Sequence, residues 1–357
     1  MNPIKTSFGK QIRTKNGRIA GVVACLPANQ ISNDYFTEKF GADAVKDVVK
    51  MIGVDHRRWV EEGVSTADLC YQAAESLLSG LDWQRESIDA LIFVSQTPDY
   101  RLPATACSLH GRLGLQPSCL AFDINLGCSA YPYGLWLGLN MIQAGAIKRI
   151  LLAVGDTISK AISPSDRSTV MLFGDAGTVT ALEYCENSSN DAFFILGTDG
   201  KGSHNLIIPR GAFKDYSLSN DPRLEGKDPN CLYMDGSEIF TFTMQTVPPL
   251  ISSTIEFSGC KVDDFDAFLF HQANQFILKH LIKKAKLPID RVPMNINKFG
   301  NTSSASIPLL MTDSLANLLQ ERSASLAMFS FGVGYSWASA AITVGPLDVV
   351  EMIDFKL

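Results

Sequence analysis

The sequence predicts an α/β protein assembled from two related halves of one chain. Strands and helices alternate between residues 17 and 344, a pattern typical of a largely parallel sheet covered by helices. Residues 88–93 begin as apolar-Asp-Ala and continue as an apolar run, and residues 265–270 repeat this pattern. We therefore divide the chain into an N-terminal extension (1–16), a first half (17–185) and a second half (186–357).

The first half is predicted to alternate strands with helices. Its apolar runs indicate strands at 17–27, 88–94, 122–126, 149–154 and 177–182. Amphipathic or capped segments indicate helices at 33–52, at 66–81 behind a Ser65/Thr66 cap, at 105–113, and from near Cys128 onward.

The second half is predicted to repeat this plan less regularly. Strands are expected at 193–196, 265–270, 325–331 and 337–344, with a long helical region at 231–257. Residues 199–232 are rich in Gly, Asp, Asn, Pro and Lys, which indicates a long loop or lid.

Composition excludes several classes of protein. The 357 residues are 46% hydrophobic and 19% charged, which is typical of a globular protein with a large core. The net charge of −6 and the lack of a basic face argue against nucleic-acid binding. No apolar run is long enough for membrane insertion and no signal peptide is visible, so we expect a cytoplasmic protein. The basic, acid-free first eighteen residues fit a solvated arm or a transit peptide.

The eight cysteines predict free thiols and no metal site. They form no CxxC pair and no Cys/His cluster with zinc spacing. A dinucleotide-binding GxGxxG and a Walker A loop are also absent from the sequence, so nothing indicates a bound nucleotide cofactor.

Cys128 stands where a strand is predicted to give way to a helix. The apolar run ends near Leu126, Gly127 provides a tight turn, and Pro132 suits a first helical turn. A thiol at a helix N-terminus is stabilised as thiolate, which lowers its pKa, and the adjacent N–H groups face a developing oxyanion. The site therefore fits a nucleophile, although a lone Gly-Cys also fits a buried structural cysteine.

Two further side chains are candidates for the same chemistry. His271 follows the strand at 265–270, and Asn301 lies in a Gly-Asn-Thr-Ser sequence. Alone, the first also fits a core histidine and the second a turn asparagine. The glycine-flanked residues 331–337 connect two strands, so they either present a backbone N–H to a substrate or merely turn the chain.

Taken together, these motifs resemble the thiolase superfamily, and within it β-ketoacyl-acyl-carrier-protein synthase III. The matching motifs are Gly-Cys-Ser-Ala at 127–130, His-Gln-Ala-Asn at 271–274, Gly-Asn-Thr-Ser at 300–303, Asp-Arg-Ser-Thr at 166–169, Leu-Phe-Gly-Asp at 172–175 and the loop 331–337. Thiolases and elongating synthases have a second His or a Cys as the third residue, where this chain has Asn301. Chalcone and hydroxymethylglutaryl synthases differ from this chain in the His-Gln-Ala-Asn motif.

The resemblance implies a five-layer αβαβα thiolase fold from two duplicated halves, and an acyl-thioester condensing enzyme. Cys128 would accept the acyl group, with the N–H groups of Cys128 and Val333 binding the oxyanion. His271 Nε2–H and Asn301 NH₂ would stabilise the enolate formed when a malonyl thioester loses CO₂. Substrates would be thioesters of CoA or phosphopantetheine, namely acyl-CoA or acyl-ACP and malonyl-ACP or malonyl-CoA. No metal or redox cofactor is expected.

The resemblance also implies a homodimer and an acidic carrier-protein partner. Leu102 would close the acyl pocket of the partner subunit, and Arg167, Asn274 and Phe276 would lie at the substrate entrance. Several positions depart from the family pattern. Asp47 and Met51 stand where relatives have an adenine-stacking Trp and an Arg, and Phe276 replaces a basic residue that meets the carrier. A basic surface of Lys46, Lys50, Arg57 and Arg58, with Arg167 opposite, is expected to compensate.

Two other activities remain compatible with the same motifs. An acyltransferase could move the acyl group from Cys128 to an amine, a hydroxyl or water. A non-catalytic partner subunit would be expected to lack one of the three motif residues, and none is missing.

Overall fold

The computed structural model describes residues 8–186, 191–214 and 221–357. Part of the predicted N-terminal extension (1–7), part of the predicted loop (215–220) and residues 187–190 lie outside the described residues. No helix in the described ranges has the length and apolarity needed to cross a bilayer.

Fifteen strands and eleven α-helices are present in the described part of the chain. The strands are β1 Lys10–Thr14, β2 Gly17–Leu26, β3 Gln30–Ser32, β4 His56–Arg58, β5 Ala90–Val94, β6 Leu120–Ile124, β7 Arg149–Asp156, β8 Ala176–Tyr184, β9 Ala192–Thr198, β10 Leu206–Ile207, β11 Tyr233–Met234, β12 Ala267–Phe270, β13 Ala324–Gly332, β14 Ser336–Val344 and β15 Val349–Asp354. The helices are α1 Asp34–Phe40, α2 Ala42–Ile52, α3 Thr66–Gly80, α4 Thr105–Arg112, α5 Ala130–Gln143, α6 Arg167–Val170, α7 Gly236–Ser258, α8 Gln275–Ala285, α9 Ile296–Phe299, α10 Ser306–Ser314 and α11 Ala316–Glu321.

Two large sheets form the framework, and both are mixed. The first has the order β15-β2-β8-β7-β5-β6 and the second has the order β1-β9-β14-β13-β12. Strand β8 runs antiparallel to both of its neighbours, and β14 does so in the second sheet. Three of the five pairings in the first sheet are nevertheless parallel, whereas three of the four in the second sheet are antiparallel. The prediction of a largely parallel sheet therefore holds for the first sheet and is wrong for the second. The β13–β14 connection is only three residues long, which is too short for a parallel crossover.

The layers follow the predicted αβαβα order. Helices α3 and α4 pack on the outer face of the first sheet, where they bury Leu77 and Leu109. Helices α5 and α10 lie between the two sheets and contribute Leu135 and Leu310 to the largest core cluster. Helices α7 and α8 cover the outer face of the second sheet through residues such as Leu250. The central layer thus places the start of α5 at the junction of the two sheets.

The terminal strands belong to the sheets opposite to those expected from their position in the chain. Strand β1 pairs with β9 in the second sheet, and β15 pairs with β2 in the first sheet. Residues 10–14 therefore form a sheet edge instead of a solvated arm. An ion pair between Arg13 and Asp191 links this edge to β9.

Local signals located several element boundaries correctly. Helix α3 begins after Ser65, whose side chain accepts from Asp68 N–H in a capping box. The helix predicted over 33–52 is two helices, because Gly41 adopts a φ of 83° between α1 and α2. The helical region predicted from residue 231 begins at Gly236, after the short strand β11.

Candidate active site

Cys128 lies in the turn between β6 and α5, as predicted. An added Cβ at Gly127 would displace the end of the Gln96 side chain, so glycine leaves room for that side chain beside the turn. Helix α5 begins at Ala130 with Ser129 as N-cap, and the half-buried Cys128 comes just before this cap. Cys128 therefore lies at the N-terminal end of α5, just before its first turn.

The expectation of a lowered pKa for Cys128 was wrong for the ligand-free protein. Burial raises the pKa of the Cys128 thiol to about 11, and the negative charge of Asp156 acts in the same direction. Hydrogen bonds from the backbone of Val333, the Ser303 hydroxyl and the Cys128 backbone oppose this effect. Desolvation outweighs the field of the helix end, so the resting thiol is protonated at neutral pH.

The connection between β13 and β14 packs directly against the thiol. A Cβ at Gly332 would lie 2.9 Å from Cys128 Sγ, which explains a glycine at this position. The Ser336 hydroxyl donates to the Val333 carbonyl at 2.8 Å and lies 2.6 Å from the Ser129 hydroxyl. These contacts fix the Val333 backbone beside Cys128, where the sequence predicted an oxyanion donor.

His271 follows β12 and is 2% exposed. Its N–H donates to the Phe329 carbonyl at 2.9 Å, and its ring Nδ1 lies 3.1 Å from the Ser306 hydroxyl. Burial lowers the pKa of His271 to about 4, and a hydrogen bond with the Ser303 backbone partly offsets this effect. The imidazole is therefore neutral at physiological pH.

Asn301 is fixed by backbone contacts between the two halves. Its N–H donates to the Leu172 carbonyl at 2.9 Å, and its carbonyl accepts from Gly174 N–H at 3.1 Å. A Cβ at Gly300 would lie 2.6 Å from the Leu172 carbonyl, so the close approach requires glycine there. The Asn301 side chain accepts from Ser303 N–H at 2.9 Å and donates to the Ala273 carbonyl at 3.3 Å.

Ser303 contacts all three predicted catalytic residues. Its hydroxyl hydrogen-bonds to the Cys128 thiol, its N–H donates to Asn301 Oδ1, and its carbonyl interacts with the His271 ring. The structure thus brings together residues from the two halves around one serine. The sequence motif contains Ser303 and continues to Ser306, but its pattern alone gave neither residue a role.

The predicted substrate-binding residues lie at different places. Arg167 is exposed at a cavity of about 350 Å³ that Phe40, Lys227 and Tyr233 also line. Leu102 is 77% exposed in the single chain. Asn274 caps α8 by accepting from Ile277 N–H at 2.7 Å, which gives it a structural role.

Two members of the predicted basic surface are not available to a partner. Arg57 is fully buried, donates to the Met171 carbonyl at 2.8 Å and stacks over the Phe36 ring. Burial lowers the pKa of Arg57 to about 10. Arg58 is half-buried and donates to the Pro27 and Ala28 carbonyls. Only the lysines of α2 and Arg167 remain exposed from that set.

Family models for 3-oxoacyl-[acyl-carrier-protein] synthase III match residues 122–200, and models for its C-terminal region match residues 255–344. A putative 3-oxoacyl-[acyl-carrier-protein] synthase 3 from Campylobacter jejuni is 36% identical, over 95% of this chain and 95% of its own length. Beta-ketoacyl-[acyl-carrier-protein] synthase III 2 from Streptomyces coelicolor is 33% identical, over 93% of this chain and 95% of its own length.

The fold comparison agrees with the sequence comparison. The crystal structure of a 3-oxoacyl-(acyl-carrier protein) synthase from Burkholderia xenovorans superimposes with a TM-score of 0.95. It is 62% identical and covers 97% of this chain and 99% of its own. The predicted thiolase fold is therefore confirmed, and the chain belongs to the β-ketoacyl-acyl-carrier-protein synthase III family of condensing enzymes.

Proposed function

We propose that this enzyme transfers an acyl group to Cys128 and then condenses it with a malonyl thioester to give a 3-ketoacyl product. The observation that carries the proposal is the convergence of Cys128, His271 and Asn301 on Ser303, next to the backbone of Val333. The names of its relatives, which are acyl-carrier-protein synthases, support an acyl carrier protein as the partner. Fatty-acid or specialised-metabolite synthesis is the corresponding role.

In the first step, Cys128 Sγ attacks the carbonyl carbon of an acyl thioester. The thiol loses its proton as the S–C bond forms, because the resting group is protonated. The tetrahedral oxyanion accepts hydrogen bonds from the N–H groups of Cys128 and Val333. Its collapse breaks the substrate C–S bond, releases CoA or phosphopantetheine thiol with the proton, and leaves an acyl-enzyme.

In the second step, a malonyl thioester loses CO₂ and becomes an enolate. His271 and Asn301 donate to the enolate oxygen, and neither group needs to change its charge. A donor role for His271 Nε2 requires the tautomer in which Nδ1 accepts from the Ser306 hydroxyl, and that hydroxyl then turns away from the Ser303 carbonyl, to which it donates at 2.9 Å in the structure. The enolate carbon then attacks the acyl carbonyl on Cys128, the S–C bond breaks, and the Cys128 thiolate takes up a proton. No resident metal or redox cofactor takes part in these steps.

Intact-protein mass spectrometry with a panel of acyl-CoA and acyl-carrier thioesters tests the first half of the proposal. We expect a single acyl adduct, followed by CO₂ release and a 3-ketoacyl product when malonyl thioester is added. An acyl adduct that passes to an amine, a hydroxyl or water without CO₂ release would identify an acyltransferase instead. Absence of any adduct across the panel would contradict both activities.

The pH dependence of decarboxylation tests the state of His271. Because the pKa of His271 is lowered from 6.5 to about 4, the ring gains a proton only in strongly acidic solution. We expect the rate of malonyl decarboxylation to stay level between about pH 8 and about pH 5. The measurement is CO₂ release in buffers of constant ionic strength. A loss of rate with a midpoint near 6.5 would show that a normally titrating histidine controls the step.

The exposed lysines of α2 and α8 are the proposed docking surface for an acidic carrier protein. The two helices contact each other. Lys46 and Lys50 on α2 and Lys279, Lys283 and Lys284 on α8 are exposed. Phe276, 43% exposed, lies among them and packs against His280 with ring centroids 4.2 Å apart. The surface is therefore positively charged around an apolar centre, and it does not include the buried Arg57.

Charge reversal on α2 should weaken turnover with carrier-bound substrates. We expect Lys46→Glu with Lys50→Glu to lower kcat/KM for acyl-carrier donors by a few fold, since an exposed ion pair contributes about 0–1 kcal/mol. Single Lys50→Glu should have a smaller effect. Lys261→Glu is the matched control. This exposed lysine comes before β12, at the end of the strand opposite to His271, so it lies outside the proposed docking surface.

The same kinetic series tests the donor preference. Asp47 and Met51 are exposed on α2 and replace the expected adenine clamp, so acyl-carrier donors should be preferred over matched acyl-CoA donors. Stacking and cation–π contacts of this kind contribute roughly 0.5–2 kcal/mol each. A preference for acyl-CoA, together with unchanged carrier-dependent turnover in the double variant, would contradict both the preference and the docking surface.

A cytoplasmic homodimer is the proposed assembly. Leu102 is 77% exposed beside Tyr100, which is 62% exposed, and Phe213 is 86% exposed. Arg101 stacks over the Phe213 ring at 5.5 Å, so these apolar side chains belong to one region of the surface. A second copy of the chain would bury them and would place Leu102 at the partner's acyl pocket. None of the eight cysteines, all of which lie in the described part of the chain, forms a disulfide, which agrees with a reducing compartment.

A further inference from the structure

Asp156 is a fully buried carboxylate at the end of β7, and no catalytic step above uses it. Its Oδ1 accepts from Gln96 N–H at 2.7 Å, from the Ser95 hydroxyl at 3.1 Å and from the Thr97 hydroxyl at 3.3 Å. Its Oδ2 accepts from the Ser304 hydroxyl at 2.8 Å and from Ser304 N–H at 3.2 Å. Burial raises the pKa of Asp156, and the hydrogen bonds from these donors, two of which are backbone N–H groups, act against this effect and favour the ionised group.

These donors come from both halves of the chain. The residues bonded to Oδ1 follow β5 in the first half, whereas Ser304 follows the Gly-Asn-Thr-Ser motif in the second half. The Gln96 side chain also packs against Gly127, next to the nucleophile. Asp156 therefore lies between the turn that carries Cys128 and the loop that carries Asn301.

Ser304 is the direct link to the catalytic donors. It follows Ser303, which contacts Cys128, His271 and Asn301. Ser303 adopts a positive φ of 49°, an unfavourable conformation for a residue with a side chain, so neighbouring contacts must maintain it. The two hydrogen bonds from Ser304 to Asp156 are such contacts. A buried carboxylate has no water to replace lost hydrogen bonds, so breaking these bonds would cost free energy.

We propose that Asp156 is a positioning residue that fixes the Ser303–Ser304 segment, and through it the Asn301 and His271 donors, against the nucleophile turn. The proposal rests on the proposed condensation activity. Asp156 itself contacts no predicted substrate atom. It acts by holding the two halves of the site at the distance that the second step requires, where misplacement of a group by about 1 Å costs on the order of 10²-fold in rate.

The carboxylate also acts on the thiol electrostatically. Burial is the main cause of the raised pKa values of Cys128, Cys70 and Asp175, and the negative charge of Asp156 adds to the rise in each. Within the described ranges it has no ion-pair partner. Removal of this charge should therefore lower the pKa of Cys128, which a purely steric role for Asp156 would not do.

Asp156→Asn tests the proposal with little change in volume. The single remaining oxygen is expected to keep the three first-half donors, so the new NH₂ would face the two donors of Ser304. We expect malonyl decarboxylation to fall by about 10²-fold, with a much smaller change in Cys128 acylation. Iodoacetamide alkylation of Cys128 should acquire a lower apparent pKa. Equal losses in both half-reactions, or an unchanged alkylation profile, would overturn the proposal.

Two serine variants form a matched pair. Ser304→Ala and Ser95→Ala each remove one buried hydroxyl from the same carboxylate, but only Ser304 is on the loop that carries Asn301. Ser304→Ala should lower decarboxylation about tenfold, since a hydrogen bond to a charged group is lost, and Ser95→Ala should lower it less. Equal effects would contradict a specific link to the donors.

The wild-type enzyme separates failure of this inference from failure of the proposed function. If the wild type becomes acylated and releases CO₂ from a malonyl thioester, but Asp156→Asn does so at the same rate, only the positioning role is wrong. If the wild type releases no CO₂, the condensation itself is wrong. The alkylation profile of Asp156→Asn and the thermal unfolding of the two serine variants then still report on the Asp156 contacts.

Discussion

Replacement of Cys128 by alanine is expected to abolish acyl-enzyme formation completely. Cys128 is the cysteine that lies beside the Val333 backbone and Ser303, so no other thiol of the described chain has this oxyanion environment. Cys25 and Cys70 are buried, and burial raises their pKa values strongly. The measurement is intact-protein mass after incubation with acyl thioesters, followed by peptide mapping of the modified residue.

Cys107→Ala is the control for this experiment. Cys107 is exposed, so it is available to acyl thioesters but has no role in the proposed mechanism. We expect full acylation of this variant at Cys128. Stable acyl transfer to Cys128→Ala, or loss of acylation in Cys107→Ala, would contradict the assignment of the nucleophile.

Replacement of His271 or Asn301 by alanine is expected to impair malonyl decarboxylation far more than self-acylation. Both side chains are proposed to donate to the enolate oxygen, whereas the first oxyanion is served by backbone N–H groups of Cys128 and Val333. Loss of one such donor typically lowers a rate by about 10²–10³-fold. The two half-reactions are measured separately, by mass spectrometry for acylation and by CO₂ release for decarboxylation.

An exposed histidine provides the matched control for His271. His204 lies on the surface in the segment between β9 and β10, and His204→Ala should retain both half-reactions. Folding of each variant is checked by thermal unfolding, because His271 and Asn301 are buried. Equal losses of acylation and decarboxylation in His271→Ala and Asn301→Ala would contradict the assignment of these two side chains to the decarboxylation step.

Much of the candidate site could be predicted from the sequence because each candidate catalytic residue follows a recognisable local pattern. Cys128 and His271 come directly after apolar strands, and Asn301 follows a glycine in a motif of small polar residues. Strand ends and tight glycine turns depend on neighbouring residues, so they are visible in the chain itself. The resemblance to one family then assigned chemistry to positions that local patterns left ambiguous.

Contacts between distant residues could not be predicted in this way. Residues 10–14 have no sequence feature that specifies pairing with 192–196, and the apolar alternation of β8 is the same whether it runs parallel or antiparallel. Arg57 looks like a surface residue in the sequence, yet the fold buries it among carbonyl oxygens and the Phe36 ring. Burial is a property of the packed layers, and composition does not reveal it for a single charged residue.

The sequence by itself determined the α/β class and the turn at Cys128, because strand, turn and helix preferences are local, and its resemblance to one family predicted which three residues meet in the site. The tertiary structure decided their chemistry. Packing around Cys128 desolvates the thiol, so its pKa rises instead of falling as the helix end alone would dictate. Packing also makes His271 neutral and brings Ser303 and the Asp156 carboxylate to the site. Desolvation and long-range hydrogen bonds arise only when both halves of the chain pack together.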